Sequence, residues 1–377
     1  MKHYPDLLLL FALLSVTTMI KAQISIRPYS EWEATQFVAV NGHQPEDYVK
    51  PDNNWEILYN LRTPRTQAEL REMGIKCSDS QLLLLEVGGL VSKTKGKWEA
   101  TIPILDKEQT NSLRSLSKEI AESMYVKTKA DFISLAQTIS EMGFKNNVLS
   151  LVFSYLLDGK MWTKLVLFED VDNYTSWSGC YWVLYESRNG FACGTNGFGE
   201  QNLILTYINS GIAPDNDIMD HCADEIAQFG KVTDAKLVSQ LKPYGLVDDN
   251  GDVLFPIIKK RQDRFHQITE KLVNSISAEL KNNCGSLASQ YGIDNEKVAM
   301  VMLYHEVMWD LVDNLIQDRI IFTPAIFYAL EIHLQKTLQS QMSFSLSNYY
   351  CINPPSMKKT TSFNRSLFDS SSLKIAN

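Results

Sequence analysis

The sequence predicts an α+β fold that is mostly helical. Two similar helix–hairpin units should bracket a small antiparallel β insert rich in aromatic residues. Three observations predict this. Residues 69–105 resemble residues 225–258 in order and spacing. Each of these stretches runs on into long apolar patterns at helical spacing, residues 106–142 and 259–291. Between the two copies, residues 165–210 lose that spacing, and Trp177, Gly179, Tyr181, Val183 and Tyr185 alternate with their neighbours as a strand does.

The duplication is the strongest signal, and internal similarity changes the reading of everything else. Gly74 matches Gly230, Gly89-Leu90-Val91 matches Gly245-Leu246-Val247, and Pro103 matches Pro256. Beyond the prolines, each copy has a long helical pattern and a glycine, Gly143 or Gly292. A second apolar helix follows, carrying Met161-Trp162 in one copy and Met308-Trp309 in the other.

Within the first copy, residues 66–73 keep Leu70 and Met73 apolar while Glu69, Arg71 and Glu72 are polar, as on a helix. Gly74 suits the left-handed position that ends it. Ser78 or Asp79 can cap a second helix over 80–87, which Gly88-Gly89 stops. Residues 90–92 and 98–105 then read as strands around a Lys95-Gly96 turn. In the second copy Thr233 or Asp234 caps a helix over 236–242, and Asn250-Gly251 is a strong hairpin turn.

Helix, tight turn, helix and hairpin, in that order and twice, resembles the winged-helix superfamily, best known from bacterial transcription regulators. The resemblance covers residues 69–105 and 225–258. It implies a fold more than a function, because this fold also serves protein contacts. In the regulators it resembles, the second helix enters the major groove and needs basic or amide side chains there. The first copy offers Ser80, Gln81 and Glu86. The second offers Lys236, Gln240 and Lys242, next to an acidic wing of Asp248, Asp249 and Asp252. Only the first wing is basic, with Lys93, Lys95 and Lys97. These are the nucleic-acid contacts if the chain is a regulator. The run of residues 259–264 is also basic, but it reads as a solvated helix start.

Composition bounds the rest. The chain has 377 residues, 45% apolar and 21% charged, with a net charge of −8 and a pI near 5.4. Collagen-like, disordered and multi-span chains are excluded as descriptions of the whole. The acidic balance argues against a chain built to coat nucleic acid. Residues 1–22 carry Lys2 and His3 ahead of an apolar run of about 14 residues, shorter than the ~20 of a spanning helix. They read as a signal peptide cleaved after Ala22, which places the protein in the periplasm or outside the cell. No later segment is long and apolar enough to span a membrane, so none is expected once the signal is removed. Asn173 and Asn364 stand in glycosylation sequons, relevant in a eukaryotic host.

Chemistry-bearing motifs are few. Six cysteines, Cys77, Cys180, Cys193, Cys222, Cys284 and Cys351, show no metal spacing. His305-Glu306 lacks the second histidine of a zinc protease motif. Asp217, Asp220, His221 and Asp224 would share one helix face, which suits either a divalent cation or an acidic first turn. The glycine-rich stretch 194–199 lacks the lysine of a phosphate loop. No catalytic, metal or cofactor set emerges. The aromatic cluster Tyr174, Trp177, Tyr181, Trp182 and Tyr185 is the best binding surface, fit for a glycan or a protein partner.

The expected organisation is a signal peptide (1–22), an N-terminal extension (23–52), a first winged-helix-like unit with long helices (53–165) and a β-hairpin insert (166–219). A second such unit (220–350) and a disordered tail (351–377) follow. The expected function is that of an exported, non-enzymatic interaction protein. A winged-helix DNA-binding regulator, cytosolic or membrane-tethered, is the first alternative, and a metal-dependent hydrolase the second.

Overall fold

The computed structural model describes residues 26, 28–38, 45–165, 179–186, 193–199, 203–208, 215–259, 261–291, 296–322 and 349–353. The signal peptide expected over residues 1–22, and residues 354–377 of the expected tail, lie outside this set. The described part is mostly helical, with small sheets. Among the described residues no helix is long and apolar enough to cross a membrane.

The chain opens with β1 (Trp32–Val38) and the short α1 (Pro45–Val49). Then come α2 (Asn54–Asn60), α3 (Gln67–Glu72), α4 (Asp79–Val87), and the hairpin β2 (Val91–Thr94) and β3 (Lys97–Ala100). The long α5 (Lys107–Glu141) leads to a continuous helical segment, residues 148–164. That segment is π-helical from Leu151 to Lys160 and α-helical at its two ends. Three strands follow, β4 (Gly179–Glu186), β5 (Cys193–Phe198) and β6 (Leu203–Ile208). The chain continues with α6 (Asn216–Phe229), α7 (Ala235–Leu241), β7 (Ile257–Lys259), α8 (Arg264–Tyr291), α9 (Glu296–Gln317) and β8 (Tyr349–Asn353).

Two compact units result: residues 48–101 with those up to Glu31, and residues 32–47 with everything from Ile102 onward. In the first unit, helix limits follow from side-chain caps. Thr66 accepts from the Glu69 amide while Glu69 reaches back to the Thr66 amide; Ser78 and Gln81 do the same for α4. Gly74 and Gly89 take positive φ at the two helix ends. The reverse turn at Lys95 and Gly96 also has φ above zero at both residues, which joins β2 and β3 tightly. Leu58, Leu61, Leu70, Leu82, Leu85 and Leu90 form the buried interior. Ser78→Ala is expected to cost about 1 kcal/mol, because the Gln81 amide loses its partner; urea unfolding of the variant measures this.

The second unit has two cores. One gathers α5, the 148–164 segment, α8 and α9. Polar pairs fix how these helices run. Arg114 meets Glu306, Ser117 meets Asp310 and Tyr125 meets Asp318, so α5 and α9 are parallel. Lys127 meets Glu279, Asp131 meets Lys271 and Ser134 meets Arg264, so α5 and α8 are antiparallel. The other core packs α6, α7 and the turn after them around Met219, Ile226, Leu241, Val247 and Phe255. Here Asp234 caps α7 and Gly230 ends α6 with positive φ. Asp248 accepts from the amides of Asn250 and Asp252, which builds the turn and holds its own carboxyl below the ordinary value.

The sheets differ from expectation in three ways. First, the insert over 166–219 was expected to be a β-hairpin, with β4 paired to the strand that follows. Instead β4 pairs antiparallel with β1, and β5 pairs with β6. The physical reason is strand quality. The sequence of β5 is CGTNGF, and its two glycines make it a poor partner for GCYWVLYE, whereas WEATQFV offers a full β-forming strand. Second, the larger sheet is not purely antiparallel: its order is β5-β6-β8-β7, and β7 with β8 is parallel. Third, the tail expected from residue 351 is ordered through Asn353, because YYCIN is itself a strand former.

Candidate functional site

The sites expected from sequence scatter. Tyr174 and Trp177 lie outside the described residues. Tyr181, Trp182 and Tyr185 fall in β4, with Phe37, Gln36 and Glu33 of β1 opposite them. Asp217, Asp220, His221 and Asp224 do sit on α6, but their groups serve the fold. Asp220 accepts from the Gly199 amide at 2.9 Å, and His221 Nδ1 lies against the Asp217 carbonyl. Among the described residues, no three His, Cys, Asp or Glu side chains are placed to hold a metal ion. The cysteines whose side chains are described, Cys77, Cys222 and Cys284, are buried free thiols, and burial raises all three.

The basic hairpin is partly committed to its own fold. The Lys93 ammonium lies 5.0 Å from the centre of the Trp98 ring, and Lys97 lies 3.9 Å from Glu69. Lys95 stands at the tip of the turn with φ of 52°. Next to this hairpin is the helix that would read DNA in a regulator, α4. Two of its polar side chains are occupied. Gln81 donates to both Asn53 and Asn54, and Ser80 shares a hydrogen bond with Ser78. To solvent α4 shows Leu83 at 57%, Leu84 at 39% and Val87 at 58% exposure, beside the exposed Asp79, Ser80 and Glu86. Leu82 and Leu85 on the other side are buried, so the helix has an inner and an outer apolar stripe. The matching helix of the second copy, α7, shows Ala235, Lys236 and Ser239 instead. Composition alone hid this: LLLL reads as core, and only the packing tells which leucines face out.

A second cluster lies inside the helical core. Its centre is Asp158, 5% exposed, on the π-helical stretch. Such stretches are rare and mark functional or strained places. Gly159 permits this one, since a Cβ there would lie 2.9 Å from the Ser154 carbonyl oxygen. Trp162 Nε1 donates to Asp158 Oδ1 at 3.1 Å, while Asp158 Oδ2 is buried with no hydrogen-bond partner. Burial lifts this carboxyl to about 6, although Thr195, Trp162 and His305 all favour its charged form. Ser154, Thr195 and Thr206 form a chain of hydroxyls next to it, at 2.9 and 2.6 Å. Tyr304 donates to the Leu157 carbonyl and packs edge-on against Trp162. The pair noted in sequence, His305-Glu306, is buried here. Glu306 accepts from Arg114 Nε at 3.0 Å, and His305 accepts from Trp309. An acid–base role toward a substrate does not fit groups so enclosed. Asp158 carried no signal of its own in the sequence; only the repeat, once aligned on Trp162 and Trp309, points to it. No family model matches the chain, and no curated protein or solved structure matches it either.

Proposed function

We propose that this chain is an exported, non-enzymatic interaction protein. Its first repeat, read as a winged helix, docks a protein segment that is apolar on one side and acidic at its flank. The exposed stripe of Leu83, Leu84 and Val87 carries this reading. Three such side chains on one helix favour an apolar partner surface over a phosphate backbone. The wing that begins just after α4 supplies Lys93 and Lys95, in a chain whose total charge is −8. These lysines select acidic flanks and repel basic ones. Nucleic acid is the lesser reading: the wing could meet phosphates, but α4 carries no basic side chain and exposes Asp79 and Glu86, which phosphates repel. The signal-like residues 1–22 support export.

A photo-crosslinker at Leu84 of the full chain in its native cells tests the docking face, with Ser239 on α7 as control. The expected result is one adduct at Leu84 whose crosslinked segment is apolar with an acidic flank. It should be lost on adding Leu83→Asp with Lys95→Glu. Labelling no stronger than at Ser239, or low-salt DNA binding abolished by Lys93→Glu, overturns the reading. N-terminal sequencing after fractionation tests export. A chain starting near Gln23 outside the cytoplasm is expected, and a full-length cytoplasmic chain removes that part of the reading.

A further inference from the structure

The two copies place a titratable side chain at the same point. The alignment that matches Trp162 with Trp309 also matches Asp158 with His305. Both residues are buried, at 5% and 3% exposure. Both accept from the indole four residues further along, at 3.1 Å for Trp162 and 3.3 Å for Trp309. One repeat therefore contributes an acid, and the other a base, to a single core. His305 Nε2 faces the Trp309 indole, and its Nδ1 lies 3.4 Å from Glu306 Oε1. Asp158 Oδ2 is the one buried side-chain polar atom among the described residues that lacks any hydrogen-bond partner. A bare carboxylate oxygen in such a place is costly, and a proton on it removes the charge that makes it so.

We propose that Asp158 and His305 form a proton-binding switch at the junction of the two repeats, with Asp158 as the group that takes up the proton. The proton comes from water and adds to Asp158 Oδ2. When it leaves, the carboxylate relies on His305, Trp162 and Thr195 for stabilisation. The groups around the pair come from every packed element. From α9 they are Tyr304, His305 and Glu306, the last held by Arg114 of α5. From the same helical segment they are Ser154 and Trp162, and from β5 and β6 Thr195 and Thr206. From α8, Phe265 stacks on Tyr155, whose phenol burial pushes up, with Glu270 and Asp263 adding to the effect.

The sign follows from the direction of the shift. The carboxyl is raised in the folded chain, from 3.8 to about 6. Its contribution to stability is therefore complete below pH 3.8 and is lost as pH rises through about 6. The loss amounts to about a hundredfold in the folding equilibrium constant. Trp162 and Trp309 sit on the two groups, so their fluorescence reports the step.

The experiment follows the full chain from pH 3 to 8 by urea midpoint and tryptophan fluorescence. The wild type should lose stability between about pH 4 and 6 and level off above that, with its emission changing near pH 6. Asp158→Asn should flatten that step. His305→Gln should move it to higher pH, because the imidazole favours the Asp158 carboxylate. A purely structural role for His305 would lower stability without moving the midpoint. A wild-type profile in Asp158→Asn, or an unmoved step in His305→Gln, overturns the proposal. If Asp158→Asn fails to fold, carboxyl carbon NMR of the wild type decides: an aspartate titrating near 6 supports the switch, and none doing so ends it.

Discussion

Arg114→Met is expected to destabilise the helical core by about 3–5 kcal/mol. Glu306 is 1% exposed and its carboxylate is met by Arg114 Nε at 3.0 Å across the α5–α9 contact. Removing the guanidinium leaves a charge in a place water cannot reach. The cost is that of the stranded carboxylate, not the worth of the pair. This distinction is testable in the same measurement. Arg114→Met combined with Glu306→Leu should recover most of the loss, since two apolar side chains fill the space without a charge to solvate. Urea unfolding of the two variants and the wild type decides it. A double variant as weak as the single one would show that the pair itself, and not the orphaned partner, holds α5 to α9.

The second large effect lies in the turn at residues 248–252, between α7 and β7. Gly251 has φ of +79°, and a Cβ there would lie 2.0 Å from the Val232 carbonyl oxygen. Val232 and Gly251 are also tied by a backbone hydrogen bond of 2.8 Å, so neither can retreat without breaking it. Gly251→Ala therefore combines the cost of a left-handed alanine, about 1–2 kcal/mol, with that of an overlap against backbone, about 1–3 kcal/mol. Gly96 is the comparison. It holds the matching turn of the first repeat at φ of +81°, but nothing lies within 4 Å of its Cβ position. Gly96→Ala should show the conformational cost alone. Thermal unfolding of the two variants separates the terms, and equal losses would refute the steric part.

Local features of the fold were legible in sequence, because their causes are local. Ser78 and Asp234, each one of two residues offered for its helix, cap α4 and α7 with their own side chains. Gly74, Gly89, Gly230 and Gly245 adopt the positive φ that glycine supplies cheaply. The pairing of β4 with β1 was not legible. The choice of partner depends on competition among strands far apart in the chain, and no residue of β4 encodes it. The π-helical geometry of Leu151–Lys160 was equally hidden, because its apolar run has no polar face from which to read a period. The candidate site divides the same way. The lysines of the first hairpin were visible as charges, but the outward stripe on α4 needed the packing of Leu82 and Leu85 to be known. Asp158 became meaningful only opposite His305.

The sheet order β5-β6-β8-β7 has a consequence for how the chain is made. Strand β8 lies between β6 and β7 and bonds to both, Leu203 and Ile257 each facing Cys351. The ribosome delivers β6 and β7 long before β8 exists. Until residues 349–353 emerge, the facing edges of β6 and β7 have no strand between them, and open edges invite pairing with other chains. Closure must also wait for a contact between parts distant in sequence, which slows folding. The smaller unit has no such dependence, since α2, α3, α4 and the β2–β3 hairpin are all complete by Ala100. Synthesis thus runs ahead of folding in the larger unit and in step with it in the smaller. The larger unit reaches its final form only once β8 has been made.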